Sequence, residues 1–184
     1  MNITREKAEK LVKKYIKKKN WFLHSIAVEA IMRNLAKRLG ENEDLWGITG
    51  LLHDIDFEKT VKTPERHGLE AEKILKGMVP DNVIQAIKAH NPLTKIKPEN
   101  PMDKALIASD AVSGLIIASA LVMPSKKLKE VRLETLIRKF KDKSFARGVD
   151  RRRILLCEEL GLSRDEFLKL ALESLQKISS RLGL

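Results

Sequence analysis

Between Ala105 and Met123 a single charge, Asp110, interrupts a run of apolar and small residues. The run approaches the length that crosses a bilayer. A carboxylate in its first third, accompanied by Ser109, Ser113, Gly114 and Ser119, makes a lone membrane span costly. The same pattern suits a helix buried on all sides within a globular domain, and no membrane is expected. Such a helix must be surrounded. At 184 residues the chain is long enough for one domain with a proper core, and two domains are not the default. An isolated carboxylate in that setting costs on the order of several kcal/mol unless a cation or hydrogen-bond donors compensate it.

The remaining segments read at helical period, with no run of alternating strand residues. A charged amphipathic helix is predicted from Asn2 to about Lys19, with Ala8, Leu11, Val12 and Tyr15 as its apolar stripe. A second runs from Trp21 to Leu39 and stops at Gly40, and a third follows Asn42. Thr63-Pro64 reads as a cap and first position, opening a fourth helix that ends near Gly77. A fifth spans Pro80 to Asn91, where Asn91-Pro92 terminates it. Asn100-Pro101 opens the long buried helix and Pro124-Ser125 closes it. Beyond it, helices are predicted over roughly Glu130 to Lys141 and Asp150 to Leu160. A last one, capped by Ser163, reaches about Leu182. The fold class is all-α: a helical core over about 21–123 and a basic helical extension over about 124–184, within one domain.

The chain has four histidines, and all four fall on apolar faces. His24 precedes Val28, Ile31 and Leu35 at helical offsets, and His67 precedes Ala71 and Ile74. His90 follows Val83 and Ile87, and His53 shares a face with Trp46, Thr49 and Gly50. Gly50, one turn before His53, admits a close approach by another backbone or a ligand. Taken singly, an inward histidine is most often a hydrogen-bonded core residue. Four together, with Asp54 beside His53 and Asp110 in the apolar helix, are accounted for most economically by one shared object, a bound metal.

The order of these residues resembles the HD-domain superfamily of metal-dependent phosphohydrolases. His24 matches the first histidine, His53-Asp54 in LLHDID the doublet, and Asp110 the distal aspartate. His67 in RHGLEAEKIL and His90 in AIKAHN resemble the dinuclear branch. The resemblance covers about Trp21 to Leu121. It implies one metal held by His24, His53, Asp54 and Asp110 and a second held by His67 and His90, with Asp54 bridging. The cofactor it implies is a divalent transition metal, two ions of iron, manganese, zinc or nickel. Hydrolysis of a phosphate ester or anhydride by metal-activated hydroxide follows from that implication. The sequence departs from the branch at one place: where relatives read HDIGK or HDIAK, this chain reads HDIDFEK. Asp56 and Phe57 thus replace the small residue and the lysine. Asp56 is read either as orienting a ligand or water in the catalytic site with Asp54, or as a helix-end carboxylate facing solvent. Lys59 either substitutes for the lysine or is solvated.

The net charge is +11, which concentrates phosphorylated anions near the surface without choosing among them. Eight of the basic residues and two aspartates lie between Arg138 and Arg153, with Phe140 and Phe145 interleaved. Lys143, Arg147 and Arg151 are the expected substrate contacts, against the alternative of a solvated helix face. The expected partner is a small phosphorylated molecule of nucleotide type. Nucleic acid is disfavoured because aromatic residues make up only 4% and no base-reading motif appears. A di-iron oxygenase of the same superfamily and a binding module with a structural metal are the rival functions. The single cysteine, Cys157, excludes an intramolecular disulfide and lies at a core position of its helix. The lysine-rich N-terminus has no apolar signal core, so a cytoplasmic location is expected.

Overall fold

The computed structural model describes residues 3–184 and is all-α, with no strand among the described residues. Helix α1 (Arg5–Tyr15) begins where the Thr4 side chain accepts the Lys7 amide, so the expected start at Asn2 falls outside the described residues. Tyr15, expected in the apolar stripe, is exposed, and Ile3 and Ile16 bracket the helix with buried side chains instead. Helix α2 (Lys19–Leu39) ends at Gly40, and α3 (Glu43–Leu52) starts at the Asn42 cap and returns along it. The two meet at Gly50. A Cβ placed there would lie 2.9 Å from the Val28 carbonyl oxygen and 3.0 Å from the Glu29 nitrogen. Only a missing side chain allows this approach.

The predicted fourth helix is broken. A short helix α4 (Phe57–Thr60) and a 3₁₀ turn over Pro64–Arg66 precede His67, whose backbone is extended. Helix α5 (Leu69–Leu75) starts only after Gly68 at φ 89°. Thr63 makes no capping bond, so Thr63-Pro64 opens the 3₁₀ turn and not the longer helix. The carboxylate of Asp56 serves α5 instead, accepting the Gly68 amide at 2.8 Å and the Ala71 amide at 2.9 Å. Glycine is required at 68 for a second reason, because a Cβ there would meet the Ile87 carbonyl oxygen at 2.9 Å.

Helix α6 (Asp81–Ala89) presents Val83 and Ile87 to the core. The central helix α7 (Pro101–Leu121) opens with a reciprocal capping box between Asn100 and Asp103. It is long and apolar enough to cross a membrane by length and composition, but Leu106, Val112, Leu115 and Ile116 are fully covered by the rest of the chain. Its apolar character is thus accounted for by packing within the fold.

The C-terminal segment carries α8 (Leu133–Lys141), α9 (Arg151–Ile154), a 3₁₀ run over Leu155–Leu160, α10 (Arg164–Lys177) and α11 (Ser179–Leu182). It shares the core, since Phe167, Leu168, Ala171 and Leu175 are fully buried and Cys157 is buried with them. Two polar clamps fix it: Asn34 donates to Ser174 at 2.8 Å, and Gln176 donates to the carbonyls of Leu128 and Val131. The buried Glu29 accepts two bonds from Arg5 and one from Arg33, tying α1 to α2.

Gly50→Ala should destabilise the protein by about 1–3 kcal/mol in denaturant unfolding, because the new methyl presses on helix backbone. Gly148→Ala, whose Cβ would meet nothing within 4 Å, should stay within about 0.5 kcal/mol of wild type. Equal effects at the two sites would contradict close contact between α2 and α3.

Candidate metal centre

Five segments each bring a group to one cleft. His24 comes from the second turn of α2, and His53 and Asp54 from the end of α3. His67 comes from the extended residue before Gly68, His90 from the end of α6, and Asp110 from the middle of α7. The cleft holds about 310 Å³ and is walled also by Trp21, Phe57, Asn91, Pro92 and Arg153. His53, Asp54, His67 and His90 are buried, whereas the His24 and Asp110 side chains keep 25% and 21% of their exposure on the open side.

Each imidazole is oriented through its Nδ1. His53 Nδ1 lies 2.8 Å from the Gly50 carbonyl oxygen, and His90 Nδ1 bonds the Ile87 carbonyl oxygen. His67 Nδ1 lies 2.8 Å from the Asp56 carboxylate. His24 Nδ1 lies 3.2 Å from Ser113 Oγ, whose own proton goes to the Asp110 carbonyl oxygen. These partners accept a proton, so each Nδ1 carries one and each Nε2 is left to face the cleft.

The Nε2 atoms converge on Asp54. Its Oδ1 stands 3.3 Å from His53, 3.1 Å from His67 and 3.5 Å from His90, and its Oδ2 stands 3.6 Å from His24. Asp110 Oδ1 is 3.1 Å from His24 Nε2 and 4.0 Å from His53 Nε2. The Nε2 atoms of His67 and His90 are only 3.0 Å apart, a separation that needs a proton on one of them or a cation facing both. His53 Nε2 is fully buried with no hydrogen-bond partner among the described residues. Lone pairs crowded in this way require protons or cations between them.

The donor set suits metal ions. His24, His53 and Asp54 form one group with ligating atoms within 4.8 Å of one another, and Asp54, His67 and His90 form another. Such clustered histidines and carboxylates could bind metal ions, with Asp54 common to both groups.

The electrostatics sort the four rings. Burial pushes His53 down to about 4, so it is neutral at pH 7. Burial also opposes charging of His67, but hydrogen bonds to Asp54 and Asp56 outweigh it and raise the ring to about 9. His24 is raised as well, its burial overcome by Asp110 and Asp54. Burial works against ionisation of both carboxylates, yet the facing histidines hold Asp54 well below its ordinary range, and His24 and Arg153 do the same for Asp110.

The structure decides between several of the sequence expectations here. Asp110 has the kind of donor that a carboxylate in an apolar helix requires, because Arg153 donates to its Oδ2 at 2.9 Å. Asp56 is fully buried, so the solvent-facing reading fails; it does not line the cleft and acts by orienting His67. Lys59 pairs with Glu70 at 2.8 Å, away from the cleft. Lys143, Arg147 and Arg151 are absent from the cleft wall. Lys143 and Arg147 line a separate cavity. Arg151 donates to the carbonyls of Ala146, Val149 and Phe145 and reaches those of Lys139 and Asp142 as well, which holds the 142–150 loop against the end of α8.

The basic residue that reaches the cleft is Arg153, which the sequence reading passed over. Its Nη2 also donates to the His90 carbonyl oxygen at 2.9 Å. No spacing sets it apart from Arg151 and Arg152, because the chain turns from α9 into a 3₁₀ run at Leu155 and the α-helical period is lost there. Asn91, read only as a helix stop, donates to the carbonyls of Pro64 and His67 and pins the extended segment.

In chelator-treated protein, NMR titration of the imidazole resonances should give a midpoint near 9 for His67 and near 4 for His53. Because the His67 value is raised above the ordinary 6.5, its contribution to stability is complete below pH 6.5 and is lost as pH rises through about 9. Asp56→Asn should lower the His67 midpoint. A midpoint near 6.5 in both proteins would refute the orienting role of Asp56.

No curated protein and no solved structure matches the chain. The HD domain family does match, over residues 21–143, which is more than half of the chain and includes all six clustered residues. Together with the His/Asp cluster, this match shows that the chain belongs to the HD-domain superfamily of metal-dependent hydrolases.

Proposed function

We infer that the protein is a metal-dependent phosphohydrolase acting on a phosphate ester or anhydride, with nucleotides as its substrate class. The observation that carries this reading is the convergence of four Nε2 atoms and two carboxylates on a cleft with Arg153 in its wall. One divalent ion is assigned to His24, His53, Asp54 and Asp110, and a second to His67 and His90, with Asp54 shared. Bound there, such ions supply Lewis acidity toward phosphate oxygens and activate water at neutral pH.

The chain's own residues do the positioning. Asp56 and the carbonyls of Gly50 and Ile87 fix three rings so that each presents Nε2 to the cleft. Asp54 and Asp110, kept ionised, balance the positive charge gathered there. Arg153 offers a guanidinium whose planar fork suits phosphate oxygens, and its bond to Asp110 holds it at the cleft wall. The net charge of +11 raises the local concentration of polyanionic substrates.

With manganese(II) under nitrogen, a nucleotide panel should yield phosphate or a shortened nucleotide, and chelator or Asp54→Ala should abolish the yield. Arg153→Ala should lower kcat/KM by about ten- to a hundredfold, the loss of one charge-assisted contact. Turnover that needs both bound iron and dioxygen would replace this reading with an oxygenase. Protein that binds no transition metal under supplementation would remove its basis.

A further inference from the structure

A second cavity, of about 340 Å³, adjoins the metal cleft. The two share His90, Pro92 and Arg153 as a common wall. The apolar part of the second cavity is formed by Ala89, Ile96, Pro98 and Ile107. Ala89 and Ile107 are buried but stand outside the main hydrophobic core cluster, and Ile96 is not packed against that cluster either. They form a separate apolar surface facing a cavity.

The rim is polar and mainly basic, with Lys95, Lys97 and Arg153 on it and Asp150 as its acidic member. Lys95 and Lys97 lie on the segment between Pro92 and Pro98. Thr94 holds that segment in shape by accepting the Ile96 amide and donating to the Lys88 and Asn91 carbonyls. Gln85 holds it from α6 through the Lys97 carbonyl.

We propose that this cavity is a substrate subsite that takes the nucleobase of a nucleotide whose phosphate lies across Arg153 in the metal cleft. The proposal deepens the phosphohydrolase reading and rests on it for the position of the phosphate. The volume falls within the range of small-molecule sites. Apolar walls built from Ala89, Ile96, Pro98 and Ile107 favour a group with apolar faces, and a basic rim beside a metal cleft favours a phosphate joined to it. An aliphatic chain would fit the walls but would take water from the charged rim without offering partners. A nucleobase carries polar edges that meet the rim and faces that meet the walls.

The test is a binding measurement in the presence of chelator, so that turnover does not intervene. The probes are the 5′-monophosphates of adenosine, guanosine, cytidine and uridine, with ribose 5-phosphate as the base-free counterpart and hexyl phosphate as the aliphatic one. At least one nucleotide should bind about tenfold or more tightly than both counterparts in an NMR titration. Its largest amide shifts should fall at Ile96, Lys97 and Ile107. Ile96→Trp, which fills the cavity, should erase the advantage and leave ribose 5-phosphate binding unchanged. If that variant fails to melt cooperatively, Ile96→Ala should reduce the advantage by at least half.

Equal binding of nucleotides and ribose 5-phosphate would overturn the proposal, as would an advantage that survives the variants. Preference for hexyl phosphate would convert the site to one for aliphatic phosphates and overturn the nucleobase assignment. Failure of hydrolysis alone would count against the phosphohydrolase reading and leave this binding result standing.

Discussion

The carboxylate of Asp54 is the point on which the architecture turns. It is buried, it is held ionised, and it faces Nε2 atoms from four segments that are far apart in the chain. A buried anion is tolerated only where enough positive or polarisable partners surround it. The positions of α2, α3, α6 and the extended residue at 67 are therefore coupled. Each must deliver its ring to within about 3–4 Å of the same carboxylate, a separation at which the interior dielectric makes the attraction strong. The close passage of α2 over Gly50 and of α6 over Gly68 are the backbone conditions that permit this convergence.

The site was legible in the sequence to the extent that burial is periodic. His24, His53 and His90 could be placed because helical spacing to neighbouring apolar residues reports which way a side chain faces, whereas His67 faces inward from extended backbone ahead of α5, which that spacing does not account for. Asp110 could be placed because its surroundings are so uniformly apolar. Interactions lacking such periodicity were not readable. The Asp56 carboxylate reaches fifteen residues ahead to cap α5, and no local pattern distinguishes it from a solvated acid. For the same reason the Thr63-Pro64 pair reads locally as the start of a helix that the Gly68 conformation in fact interrupts. Arginines were the hardest. Consecutive Arg151, Arg152 and Arg153 point about 100° apart, and only contacts separate them into a loop clamp, an exposed residue paired with Asp150, and a cleft residue.

The fold was easier to read than the site because it follows from element boundaries that local chemistry marks well. The Asn42 and Asn100 caps, the stop at Gly40 and the Ser163 capping box each satisfy backbone groups within a few residues. What local chemistry could not mark was where the C-terminal helices go. Nothing near Ser174 announces a bond to Asn34, a residue 140 positions earlier. The apolar face of α10 says only that it must be buried somewhere, and it completes the shell around α7 and α2.

The clamp formed by Arg151 has a consequence for how this protein can diverge. The 142–150 loop is organised around one guanidinium that binds main-chain oxygens, which every residue type supplies alike. Its shape is therefore nearly indifferent to the side chains it carries at Lys143 and Arg147. Such a loop can exchange its surface chemistry without loss of form. It borders a cavity through Lys143 and Arg147 and leads directly into Asp150 and Arg153 on the wall of the cavity beside the cleft. Descendants of this chain can thus change the surface chemistry beside an unchanged His/Asp cluster, so long as Arg151 is kept.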